Sequence, residues 1–188
     1  MPIRRLAAVA AVSFAVVATP APAQTVDEQL AALVTNWAML EARGVAPEVQ
    51  AYGIACATPV VLAMPDTMKQ RFIAIGAIRP VLDDLELTDL RAYERINVPF
   101  QQCVETMLVG GAIWAWVQAE EAAAGYDAQR AAAFCVMDAI NPLSGNAKAF
   151  LFQSAIAPGA DFEDALDALV TADPTLEAPL QAGIEPCL

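Results

Sequence analysis

Histidine is absent from this 188-residue chain. Its absence removes the commonest general base and the usual partner of a serine or cysteine nucleophile. It also removes the imidazole ligand on which many zinc sites depend. Four cysteines are present, yet no two form a C-x-x-C pair, so no zinc cluster is spelled out. Positive charge is scarce, with 10 Lys and Arg against 22 Asp and Glu and a formal charge of −12. Nucleic acid is thereby excluded as a partner, because binding it requires a basic surface that neutralises phosphates. Two-residue alternation of polarity and Asn-Gly or Asp-Gly turns are also missing, which argues against a β-sheet. No Gly-rich phosphate loop, dinucleotide fingerprint, nucleophile elbow or haem-attachment motif occurs, and no cofactor, metal or catalytic residue is assigned.

What the chain does contain begins with Arg4 and Arg5 ahead of an apolar run from Leu6 to Ala18, then Ala21-Pro22-Ala23. This order matches the charged, apolar and small-residue parts of a secretory leader, with cleavage after Ala23. Residues 1–23 are therefore read as a signal peptide and 24–188 as one all-helical domain, periplasmic or secreted. The mature chain keeps 8 basic and 22 acidic residues, a formal charge of −14. An acidic surface keeps such a protein soluble and can steer it towards cationic partners.

All four cysteines, Cys56, Cys103, Cys135 and Cys187, lie in the mature part. An even count in an exported protein argues for two disulfides, and sequence alone allows three connectivities. The favoured pairing is Cys56 with Cys103 and Cys135 with Cys187. Cys103 lies 22 residues before the turn near Gly125 and Cys135 only 10 after it, which matches those two poorly. A bridge to Cys187 would also tie down an end prone to fraying.

Helical periodicity accounts for the rest. Thr25 and Glu28 form a capping box for a helix running to about Arg43, with Gly44 as its stop. Pro47 starts a second helix carrying Val49, Tyr52 and Cys56 on one face, and the five apolar residues bracketed by Pro59 and Pro65, open to a helical turn or a buried extended piece, are read as helical. Asp66 is read as the cap of a helix ending before Pro80, and Thr88 as the cap of a short helix with Leu90, Tyr93 and Ile96 inward. A central helix of about 99–124 follows; from Met107 to Val117 it is apolar or glycine on every side, and such a helix must be surrounded. That run is eleven residues, whereas a bilayer takes about 20, so no membrane span is expected. Asp127, Ser144-Gly145 and Asp161 open further helices. The fold class is all-α: a compact bundle of about seven to nine short helices around one central apolar helix, with two disulfides.

Gly110 and Gly111 weaken the central helix by about 1 kcal/mol each relative to alanine, so they are expected to admit a neighbouring backbone or large side chain. Trp114 and Trp116 point to different sides of it. Glu105 enters the apolar run, and Asp138 stands near a helix C-terminus where the dipole disfavours an acid. Asp138 is therefore expected to face a cation, with Arg130, Lys148, Arg91 and Arg95 as candidates. Two acid clusters, Asp83/Asp84/Glu86/Asp89 and Asp161/Glu163/Asp164/Asp167, read as capping and solvated groups. The candidate ligand or partner site is Glu105, Gly110, Gly111, Trp114 and Asp138. The favoured function is a non-enzymatic interaction or inhibitor-type protein whose partner is another envelope or secreted protein. A carrier of an apolar small ligand would need a dry cavity beside Gly110 and Gly111. A carboxylate-dependent hydrolase would need two converging carboxyl groups, about 5–10 Å apart if it cuts glycosides.

Overall fold

A computed structural model describes residues 24–41 and 44–188. The expected leader, 1–23, and its cleavage point lie outside the described residues, as does the expected helix end at Arg43. Among the described residues nine α-helices follow in order: α1 (Val26–Glu41), α2 (Pro47–Leu62), α3 (Asp66–Ile75), α4 (Ile78–Thr88), α5 (Leu90–Glu120), α6 (Tyr126–Ile140), α7 (Gly145–Ala155), α8 (Phe162–Ala172) and α9 (Glu177–Ile184). Short 3₁₀ turns occupy Pro174–Leu176 and Glu185–Cys187, and no strand occurs among the described residues. The fold is all-α and built around α5, which touches α2, α4, α6, α7 and α8.

Several helix ends follow the expected chemistry. Thr25 Oγ1 accepts from Glu28 N at 3.2 Å while Glu28 Oε2 accepts from Thr25 N at 2.7 Å. Asp161 and Asp164 close a second reciprocal box at the start of α8, and Ser144 caps α7 by accepting from Ala147 N at 3.2 Å. Other boundaries differ from the expectation. The helix expected from Asp66 to Pro80 breaks in two because Gly76 takes a left-handed φ of 74°, which ends α3. Pro80 then sits in the first turn of α4, where its missing N–H has no intrahelical partner to lose. Pro65, not Asp66, holds the cap position of α3, and Gly125, not Asp127, that of α6.

Proline also misleads inside two helices. The stretch after Pro59 is helical as expected as far as Leu62, but it is no separate element, since α2 runs through Pro59. The short helix expected after Thr88 and the central helix expected from 99 are one 31-residue helix, with Pro99 inside it and Asp89 as its cap. Asp89 Oδ1 accepts from Ala92 N at 3.1 Å. A proline at position i removes the donor to the carbonyl of i−4, here Ala55 and Arg95, and both those residues are exposed. Water at the surface can serve the freed carbonyls, so the helices continue.

Helix α2 nests most closely on α5, held by the Cys56–Cys103 disulfide. Met107 lies directly over Gly53, and a β-carbon at Gly110 would meet Val49 Cγ1 at 2.7 Å. Trp37 of α1 stands edge-on to Phe100 of α5, ring centres 4.7 Å apart. Trp114 meets Tyr126 and Trp116 meets Phe162, so the two tryptophans do serve different sides of α5. The apolar run is not enclosed all round, however. Leu108 is 54% exposed and Ala115 is exposed, leaving a narrow strip that no neighbouring helix among the described residues covers. At the far end, Cys135 of α6 is bridged to Cys187, which fastens α9 and the following 3₁₀ turn against α6.

Candidate functional site

Among the described residues the one buried charge in the core belongs to Lys148, in the first turns of α7, whose side chain is 1% exposed. The residue falls on the same helical face as Leu151, which is fully buried. Its ammonium reaches α5, where it lies 3.5 Å from Glu105 Oε2 and donates to the Gln102 carbonyl at 3.3 Å. Burial pulls the Lys148 ammonium below its ordinary pKa, and Glu105 opposes that pull. Gln101 Nε2 adds a long contact to Glu105 Oε1 at 3.4 Å. Gly145, the first residue of α7, lets the carboxylate settle on the helix N-terminus: a β-carbon there would stand 2.8 Å from Glu105 Oε1. The anion thus meets both a cation and the positive end of a helix dipole.

Below this pair, Thr106 is fully buried, its hydroxyl 2.9 Å from the Gln102 carbonyl and 2.8 Å from Asn141 Oδ1. Its single proton is shared between those two acceptors. Above it opens a cleft of about 290 Å³ between α5 and the α6–α7 corner, with Asn97, Gln101, Glu105 and Ser144 among its polar lining. Glu105 is 24% exposed, so it presents a fixed carboxylate to the cleft while Lys148 stays sealed behind it.

Asp138 has a different partner from the cations expected. Tyr52 of α2 donates its hydroxyl to Asp138 Oδ1 at 3.0 Å, and among the described residues no ion pair reaches Asp138. Burial, then the adjacent carboxylate, pushes the Tyr52 hydroxyl well above a tyrosine's ordinary pKa. Arg130 instead lies over the Phe134 ring at 5.1 Å, and that ring stands edge-on to Tyr52. Gly110 faces Val49 across the α2 contact, whereas the nearest atom to a β-carbon at Gly111 is Val45 Cγ1 at 3.9 Å. Trp114 is buried against Tyr126. No hydrogen bond, ion pair or ring contact among the described residues joins Glu105, Trp114 and Asp138. Comparison with known proteins finds no significant match to any family model, curated protein or solved structure.

Each of the two carboxylates is held by its own partner, Glu105 by Lys148 and Asp138 by Tyr52. A β-carbon at Gly110 would meet Val49 and Met137, whereas one at Gly111 would meet nothing closer than 3.9 Å. The Asp83–Asp89 acids disperse: Asp84 pairs with Arg71 and Asp89 caps α5. Among the described residues no three Cys, Asp or Glu side chains gather as a metal-holding group. Sequence reading missed the Lys148–Glu105 pair. Its one local signal is a lysine set three residues before Leu151 and seven before Ala155, on the stripe that turns inward.

Proposed function

We propose that the protein is an exported, non-enzymatic interaction protein that presents an acidic, disulfide-braced face to a cationic envelope or secreted partner. The observation that carries this reading is a separation of charge. Lys148 is the last basic residue, and residues 149–188 hold seven acids and no base. Asp161, Glu163, Asp164, Asp167, Asp173, Glu177 and Glu185 are all exposed. Four of them have local work: Asp161 and Asp164 cap α8, Asp173 accepts from Thr175, and Glu185 accepts from Gln181. Glu163, Asp167 and Glu177 make no hydrogen bond or ion pair among the described residues. Uncompensated charge of one sign repels itself in the compact state and attracts the opposite sign from a distance. The supporting geometry is that α8 packs on α7 and α9 on α6, with the 3₁₀ turn at Pro174–Leu176 touching both.

Two disulfides agree with residence outside the cytoplasm, and no helix among the described residues is long and apolar enough to cross a membrane. The test is a carboxyl-to-amine cross-linking comparison in intact cells between the native protein and the Glu163→Gln/Asp167→Asn/Glu177→Gln variant. The native protein should couple to a discrete lysine-bearing partner in the envelope fraction, less at high salt, and the variant should couple weakly. Equal coupling by both, or a change in solubility alone, would overturn the reading.

A further inference from the structure

The two disulfides sit in different surroundings. In the inner bridge Cys56 is half-buried and Cys103 is 2% exposed beneath α2, and neither lines a hollow described here. Cys135 and Cys187 are both half-buried, and both line an open hollow of about 410 Å³ together with Glu121, Ala132 and Pro186. Small side chains at Ala128 and Ala131 keep the hollow wide, and no cation lines it among the described residues. A reagent can therefore approach the outer bridge without any part of the core moving. We infer that Cys135–Cys187 is a site of thiol–disulfide exchange with a small dithiol, and that opening it releases α9 from α6.

The exchange is balanced in two steps. One thiolate of the dithiol attacks a bridge sulfur, the protein S–S bond breaks, and a mixed disulfide forms as the other cysteine leaves as a thiolate. The reagent's second thiol then attacks the mixed disulfide, closing the reagent into its own disulfide and freeing the second cysteine. The protein gains two electrons and two protons, and the dithiol is oxidised by the same amount.

Release of α9 follows from how little else holds it. The helix is eight residues long, below the about 12–15 at which an isolated helix becomes even marginal in water. Its anchors are Leu180 and Ile184, both buried, and Gly183 seated over Ala139, where a β-carbon would stand 3.0 Å from Ala139 Cβ. Without the bridge, those contacts and the adjoining 3₁₀ turn at Pro174–Leu176 must order α9 and the 3₁₀ turn after it.

The test treats the native full chain with dithiothreitol under conditions where circular dichroism is unchanged, quenches with N-ethylmaleimide and maps the labelled peptides. Cys135 and Cys187 should be labelled at least about tenfold faster than Cys56 and Cys103, since exchange rate follows access to the sulfur. Equal rates, faster labelling of Cys56 and Cys103, or labelling only once helicity is lost would each overturn the assignment. Hydrogen exchange then tests release: amides of 177–184 should lose protection in the selectively reduced protein while α2 and α5 keep theirs. The Cys135→Ser/Cys187→Ser variant should reproduce that pattern without reagent. Retained protection of 177–184 in the reduced protein would sink the release of α9.

Discussion

The Cys56–Cys103 and Cys135–Cys187 bridges close loops of nearly equal length, spanning 47 and 52 residues. Chain entropy alone would value each at about 4 kcal/mol. Their settings are unequal. The inner bridge pins two long helices where Gly53 meets Met107 and Gly110 meets Val49, so whatever loosens it loosens the core. The outer bridge pins one eight-residue helix to the side of α6. Loop length sets how much a crosslink restrains the unfolded chain, whereas the packing around it sets which part of the native protein depends on it.

The largest effect that would break this comparison comes from removing each bridge in turn. Cys56→Ala/Cys103→Ala should lower global stability by about 4 kcal/mol, read as a drop in the thermal midpoint. Cys135→Ala/Cys187→Ala should lower that midpoint less than half as much, with its loss concentrated in hydrogen exchange of α9. Equal midpoints would mean that the outer bridge is as deeply coupled as the inner one.

Next in size is the buried ion pair joining α5 to α7. Glu105→Gln leaves Lys148 charged, buried and without its anion, at a cost of about 3 kcal/mol. Lys148→Met should cost less, because it leaves an apolar side chain inside and a Glu105 that is 24% exposed to water. Urea unfolding of both variants decides the order, and a costlier Lys148→Met would show that the cation is the better-compensated partner.

Neighbouring glycines sharpen the inner contact further. Gly110→Ala drives a β-carbon to 2.7 Å from Val49 Cγ1, overpacking that costs about 1–3 kcal/mol. Gly111→Ala meets nothing closer than 3.9 Å and should be neutral or stabilising by up to about 1 kcal/mol. Chemical denaturation of the pair distinguishes close approach from mere helix propensity.

The smallest effect lies in the link between the two regions, Tyr52 of α2 with Asp138 of α6. The pKa of Tyr52 is raised on folding, so above the ordinary tyrosine value of about 10 the native state keeps a proton that the unfolded chain gives up. The stability it contributes is complete below that pH and is lost as pH rises further. Lys148 acts in the opposite sense, since its lowered pKa makes stability rise with pH up to the ordinary lysine value of about 10.4. Tyr52→Phe should therefore cost about 1 kcal/mol at neutral pH and flatten or reverse the decline above pH ~10. A decline unchanged from the native protein would assign it to other groups.

Much of this architecture is legible in the residues. The caps at Thr25, Ser144 and Asp161 hold, and the favoured disulfide pairing is the observed one. Proline gave the wrong boundaries at Pro59 and Pro99 because its helix-breaking effect depends on whether the carbonyl it frees can reach water. That is a tertiary property, set here by exposed Ala55 and Arg95. The partners of Glu105 and Asp138 were hidden for a related reason. Lys148 is 43 residues from the former and Tyr52 is 86 from the latter, so nothing local couples them.

The two internal prolines have a further consequence when placed beside the inner bridge. Pro59 lies three residues after Cys56, and Pro99 four before Cys103. Each helix therefore misses a rung of its hydrogen-bond ladder within about one turn of 3.6 residues from the crosslink. The covalent bond acts as a splint laid across two neighbouring weak turns, so a fracture begun in one helix is arrested by the other. Under tension applied to α2 and α5, the segments outside the bridge should yield first, leaving the proline turns as the last part of the pair to come undone.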